Sequence, residues 1–281
     1  MAVTIVTDSG NDLTPSEASR YGIEVVPVYI LFGSERLRDG VDIDRTTYYR
    51  RVEAGENVTT EPARSEDYQA VFNRLVGSGH DVVMIALSSQ ISKSFEHATA
   101  AAASFGDRVK VVDSRGASGL ESLLAIYAAE RAKAGESAAE IARKIDPATL
   151  KTAAYFSVPN MNALGKSGRL PKAVVALGSM LNVSLVLKMN EQGAIAPAGQ
   201  SRSYDKTTEL MVDAVVRTIA HAPNAWVAYS HVHAADTVIK LQKMVEEKLG
   251  HPPAKELIHE STLTIASHMG EGAIGVFAIV P

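Results

Sequence analysis

Between Val3 and Asp113 the chain repeats one pattern, a short apolar run, a polar break and a helix-like stretch. VTIV is followed by TPSEASRYG, IEVVPVYILF and later EDYQAVFNRLVGSG lead to DVVMIAL, and SFEHATAAAASFG leads to RVKVVD. Parallel neighbours in a sheet need a long crossover, which a helix supplies, so this alternation predicts parallel strands joined by helices. Three of the predicted strands end in the same chemistry: TDSGNDL at Thr7 to Leu13, LSSQISKS at Leu87 to Ser94, and VDSRGASGL at Val112 to Leu120. Such ends admit three readings: a serine nucleophile, a loop that cradles an anion, or N-caps for the following helices, whose first N–H groups lack partners. Ligands of open α/β sheets bind outside the carboxyl ends of the strands, and three hydroxyl-rich ends would line one edge with more donors than capping uses.

The pattern changes at KAGESAAEIARKIDPATLKT, where a short helix reaches Asp146 and Pro147 follows. A boundary at residues 146 to 151 divides the 281 residues into an α/β domain, 1–150, and a second domain, 151–281, with a ligand site expected between them. The second half holds strand-like TAAYFSV, the loop GKSGRLPK, VSLVLKM with a turn at NEQG, and an amphipathic segment from Tyr204 to Ala222. AWVAYSHV, a helix through DTVIKLQKMVEEKLG and two last apolar runs complete it. Strand pairs and helices mix here without regular alternation, which reads as α+β.

Several function classes are excluded. A net charge of -4 leaves no basic excess for phosphate backbones, so nucleic acid is not an expected partner. Cysteine is absent, which removes disulfides, thiolate metal sites and a cysteine nucleophile. The opening MAVTIVTDSGNDL puts acids where a signal peptide needs apolar residues, and no apolar run approaches the roughly 20 residues of a membrane span. A cytoplasmic location is expected. GKSG at Gly165 to Gly168 has Asn160 where a P-loop needs its first glycine, no G-x-G-x-x-G follows the first strand, and no G-x-S-x-G is present. Neither ATP nor a dinucleotide therefore has a predicted pocket. His231 and His233 in SHVH would share a face if the strand continues, a minor metal reading beside that of a partly solvated pair. His97 reads as a half-exposed helix residue. His268 lies in SHMGEGAIG, where glycines let backbone approach a ligand closely, and Arg169 and Arg202 sit in polar loops that suit anion contact or solvation.

Six of these stretches, TDSGNDL, TTEPARSEDY, LSSQISKSFEHA, VVDSRGASGL, GKSGRLPKA and HMGEGAIGVF, stand in an order and at separations that resemble the DegV family over essentially the whole chain. The resemblance implies a two-domain fatty-acid-binding protein, a carrier rather than an enzyme, with no cofactor or metal. A long-chain fatty acid would lie in an apolar tunnel of the C-terminal domain. Its carboxylate would be presented to an ATP-dependent partner kinase that makes acyl phosphate for phospholipid synthesis, with transient membrane contact. The head-group residues it implies are Thr59, Thr60, Ser88, Ser89, Ser92, Arg169, Arg202 and His268. Glu61, Lys93, Met269 and Glu271 depart from the family pattern. Two added carboxylates beside a carboxylate site would repel the ligand unless they face solvent or pair with Lys93. The alternative is a serine hydrolase of a small acyl or phosphate ester, with Ser89 as nucleophile and His268 as base.

Overall fold

The computed structural model describes residues 2–170, 174–176 and 183–281. The strands before residue 114 are β1 (Val3–Asp8), β2 (Ile23–Val26), β3 (Tyr29–Phe32), β4 (Glu35–Arg38), β5 (Val58–Glu61), β6 (Asp81–Ala86) and β7 (Val109–Asp113). Four of them form an all-parallel sheet in the order β2-β1-β6-β7. Side chains alternate across a strand, and the two faces separate cleanly. Val6, Val82, Met84 and Ala86 pack under the helices Ser65–Gly77 and Ser94–Ala102. Ile5, Val83 and Ile85 pack against the helices Gly119–Lys133 and Ala138–Ile145.

The run IEVVPVYILF reads as one strand but is two. Pro27 has no N–H for a ladder and separates β2, in the parallel sheet, from β3, which pairs antiparallel with β4 and β5 in a three-stranded sheet of its own. A helix over Arg45–Glu53, capped by the Asp44 carboxylate on the Thr47 N–H, links β4 to β5.

After the helix Ala138–Ile145 the chain enters a six-stranded mixed sheet of β8 (Lys151–Ser157), β9 (Ser184–Met189), β10 (Ile195–Ser201), β11 (Trp226–His231), β12 (Lys255–Glu260) and β13 (Ile274–Val280), ordered β10-β9-β8-β13-β11-β12. One face carries the helices Tyr204–Ile219 and Ala235–Leu249. The other meets the helix Gly119–Lys133, whose core cluster joins Ile5 and Val83 of the first sheet to Ala154, Ala228 and Phe277 of the second. That helix lies between two sheets, which explains why its residues are buried nearly all round rather than along one stripe. Among the described residues no helix is long and apolar enough to cross a membrane.

The SHVH pair does not share a face. β11 stops at His231, whose Nδ1 accepts from the Ala234 N–H at 3.3 Å, and His233 turns away at φ 51°, 3.3 Å from the Glu260 carboxylate.

Candidate ligand-binding site

β6 sits between β1 and β7, and both neighbours end in aspartate. The Asp8 carboxylate accepts the N–H of Gly10 at 2.8 Å and, across the sheet, that of Leu87 at 3.0 Å. From the other side Asp113 accepts the N–H of Arg115 at 2.8 Å and that of Ser89 at 3.3 Å. Each aspartate closes a turn in its own loop and grips an alternate N–H of the loop after β6. Burial pushes the Asp8 carboxyl up to about 6 against these bonds. The residue between the two grips points elsewhere. Ser88 is fully buried and donates its hydroxyl to the Gly193 carbonyl at 2.7 Å, tying the loop to the β9–β10 turn. Gly193 has φ 86°, and a Cβ there would lie 2.3 Å from the Ser88 hydroxyl. Ser92 accepts the Ser94 N–H at 3.1 Å, where the next helix starts. The Ser89 side chain is exposed to a cavity.

That cavity, about 440 Å³, is lined by Thr60, Ser89, Ser92, Arg169 and His268 among others. Five of the eight expected residues therefore meet there, and the other three do not. Thr59 and Thr60 are neighbours on β5 and face opposite ways, so Thr59 lines an adjoining outer cleft with Glu56 and Lys166, whose wall Arg169 and His268 also share. Ser88 lies behind the loop. Arg202 is exposed just past the far end of β10, seven residues and about 20 Å of strand from Ile195, the β10 residue that reaches the cavity.

His268, on the helix Leu263–Met269, shares a 2.7 Å hydrogen bond with the Thr60 hydroxyl through Nε2. Burial, with the Arg169 charge nearby, holds its pKa down at about 4, so the ring is neutral at pH 7. The ring therefore has one N–H and one lone pair to share between Thr60 and a ligand. Arg169 donates Nε to the Ile91 carbonyl at 3.3 Å and Nη1 to the Ser167 carbonyl. Its guanidinium is partly buried, and no carboxylate among the described residues forms an ion pair with it. Residues 171–173 of the GKSGRLPKA stretch lie outside the described residues.

The cavity continues inward. Ile91, Ala117, Ile195, Ile265 and Met269 line both it and a second cavity whose further walls include Phe156, Met189, Val232 and Phe277. This inner channel is narrow, about 40 Å³ against about 440 Å³ for the polar cavity, and its wall is almost wholly apolar. Most of its wall comes from the second half of the chain, but Ile91, Ala117 and Ser118 come from the first. These apolar residues and the two gripping aspartates were not among the expected site residues. Met269, one of the departures from the family pattern, stands where the polar cavity meets the apolar channel.

The other departures do not oppose an anion. Glu61 pairs with Arg36 at 3.1 Å and Arg64 at 3.3 Å, and Glu271 is exposed beside His233. Neither pairs with Lys93, which instead lines the cavity with Glu96 4.0 Å away. The hydrolase arrangement is not assembled. Ser89 and His268 line the same cavity, but no hydrogen bond joins them, and the Nε2 of His268 is engaged by Thr60.

A family model for DegV, a family of uncharacterised proteins, matches residues 2–280. A DegV domain-containing protein of Mycobacterium bovis is 30% identical over 280 residues, covering 98% of this chain and 96% of its own. One from Deinococcus radiodurans is 28% identical, covering 98% of both. A fatty-acid-binding DegV family protein from Thermus thermophilus superposes with a TM-score of 0.89 at 28% identity, covering both chains entirely. A stearic acid-binding protein from Eubacterium ventriosum gives 0.88 at 25% identity, covering 98% of this chain and 97% of its own.

Proposed function

The chain belongs to the DegV family, and on that footing we propose that it binds one long-chain fatty acid, carboxylate in the polar cavity and acyl chain in the apolar channel. The observation that carries this reading is Arg169, a partly buried cation without a carboxylate partner among the described residues, lining the polar cavity from which the channel leads inward. A partly buried charge calls for a counter-charge, and a carboxylate at a dry mouth must be hydrogen-bonded or it takes up a proton. Thr60, Ser89, Ser92 and His268 supply the remaining hydrogen bonds. Structural relatives from T. thermophilus and E. ventriosum bind fatty acids, which supports the same ligand here.

The tail supplies the affinity. Burying one methylene contributes about 0.8 kcal/mol, so about fourteen give on the order of 11 kcal/mol before the costs of ordering are subtracted. The head group supplies the position. In this reading the protein is a carrier, not an enzyme. It presents a carboxylate oxygen to a separate ATP-dependent kinase, whose acyl phosphate product feeds phospholipid synthesis in the cytoplasm.

The test is extraction of the purified protein with organic solvent and mass spectrometry of the extract. About one fatty acid per chain is expected, and lipid-free protein from a lipid-replete host overturns the reading. Acyl phosphate should form only when a kinase is added, and micromolar ATP binding by this chain alone would contradict the division of labour.

A further inference from the structure

One wall of the inner channel is an aromatic ring held between two glycines. Phe277 of β13 lines the channel, and behind it the ring belongs to the packed core with Leu120, Leu124, Ala228 and Ile279. A Cβ at Gly275 would lie 2.6 Å from Cε2 and 2.7 Å from Cζ of that ring. A Cβ at Gly119 would lie 2.5 Å from its Cδ2, and the same point is 3.0 Å from both the Ala228 Cβ and the Ser230 hydroxyl. The ring is thus confined by bare backbone on two sides and by core behind. The open space beside it is the channel. Phe277 and Gly275 line only the inner cavity and not the polar mouth, so they stand away from the head-group residues.

We infer that Phe277, seated between Gly119 and Gly275, is the stop that sets how long an acyl chain the channel accepts. The inference rests on the fatty-acid reading above and adds the feature that selects among fatty acids. A methyl group at position 275 cannot coexist with the ring where it stands, and with backbone and core on its other sides the ring must move into the lumen. Replacing the ring by a smaller side chain opens space at the same place.

The experiment is competition among saturated fatty acids of 12 to 20 carbons for delipidated protein, read by native mass spectrometry, with wild type, Gly275→Ala and Phe277→Leu. Each methylene left unburied changes affinity about fourfold. Gly275→Ala should move the preferred length down by at least two carbons, a change of about fifteenfold in the ratio of the two lengths, and Phe277→Leu should move it up. If both variants fold and keep the wild-type preference, or if Gly275→Ala does not fold and Phe277→Leu keeps that preference, Phe277 is not the stop. If wild type itself takes up none of the acids, the fatty-acid reading fails and the inference with it.

Discussion

Acidification should weaken the ligand-free protein through His268. Its pKa in the folded chain is about 4, against an ordinary value of 6.5. Between those values the unfolded chain binds a proton that the folded chain does not, so the free energy of unfolding rises with pH there. The contribution is complete above pH 6.5 and is lost as pH falls toward 4. The full difference, at about 1.36 kcal/mol per pH unit, is about 3 kcal/mol, and about 2 kcal/mol of it is already lost at pH 5. Asp8 acts in the opposite sense. Its folded pKa, raised to about 6 from 3.8, means that the folded chain takes up the proton first and gains stability as pH falls through that range. The wild-type curve is therefore a mixture, and the difference between wild type and His268→Gln isolates the imidazole. In urea unfolding of delipidated protein, the variant should lose about 2 kcal/mol less than wild type between pH 8 and pH 5. Loading fatty acid adds an anion beside the ring, which favours the imidazolium and should shrink that difference. Equal losses in the two delipidated proteins, or a His268 proton resonance titrating near pH 6.5, would refute the buried neutral imidazole.

Ser89→Ala should keep its lipid, because one head-group hydrogen bond is small beside the tail, yet with a saturating kinase acyl phosphate formation should fall by as much as about a hundredfold through misplacement of about 1 Å; full turnover in the variant would count against the positioning role. Arg169→Met should weaken binding of a free fatty acid about ten- to 150-fold, the worth of a hydrogen bond to a charged group, whereas Arg202→Ala should leave it unchanged; isothermal calorimetry decides, and the reverse order would contradict the geometry. Gly193→Ala should destabilise the fold by about 1–3 kcal/mol in urea, since it strains a left-handed turn and displaces the Ser88 hydroxyl that ties the two sheets together; an unchanged midpoint would show that this tie is dispensable.

The parallel sheet was legible because β1, β6 and β7 are apolar on both faces and carry helical stretches between them. The three-stranded sheet was not. β4 is ERLR and β5 is VTTE, with burial too partial for either to show a strand period. Pro27 was the available signal for the break between β2 and β3. At the site, residue types were legible and directions were not. Thr59 and Thr60 differ by one position and a reversal of face, while Ser88 and Ser89 differ by which distant group claims each hydroxyl. For Ser88 that group is a carbonyl 105 residues away, which local sequence does not encode. Arg202 entered through its polar loop and the motif resemblance, and the length of β10 carries it away from the cavity.

The serines of the strand end after β6 divide their work. Ser92 bonds the first turn of the next helix, Ser88 ties the sheets, and Ser89 faces the cavity. That division requires the loop to be held still, and the carboxylates around it do the holding. Asp8 and Asp113 take the alternate N–H groups of the loop, and Asp12 accepts the hydroxyls of Ser118 and Ser261 and the N–H of Thr262. So much acid beside a site proposed for an anion looks self-defeating, but none of these groups lines the cavity. Glu121, fully buried near Asp8, has its pKa pushed well up by burial and by the Asp8 charge, which favours its neutral form. The aspartates accept N–H and O–H donors behind the wall, while the charged side chains that line the cavity are Lys93 and Arg169. Charge of one sign fixes the backbone and charge of the other faces the ligand, which reconciles an acidic chain with an anion site.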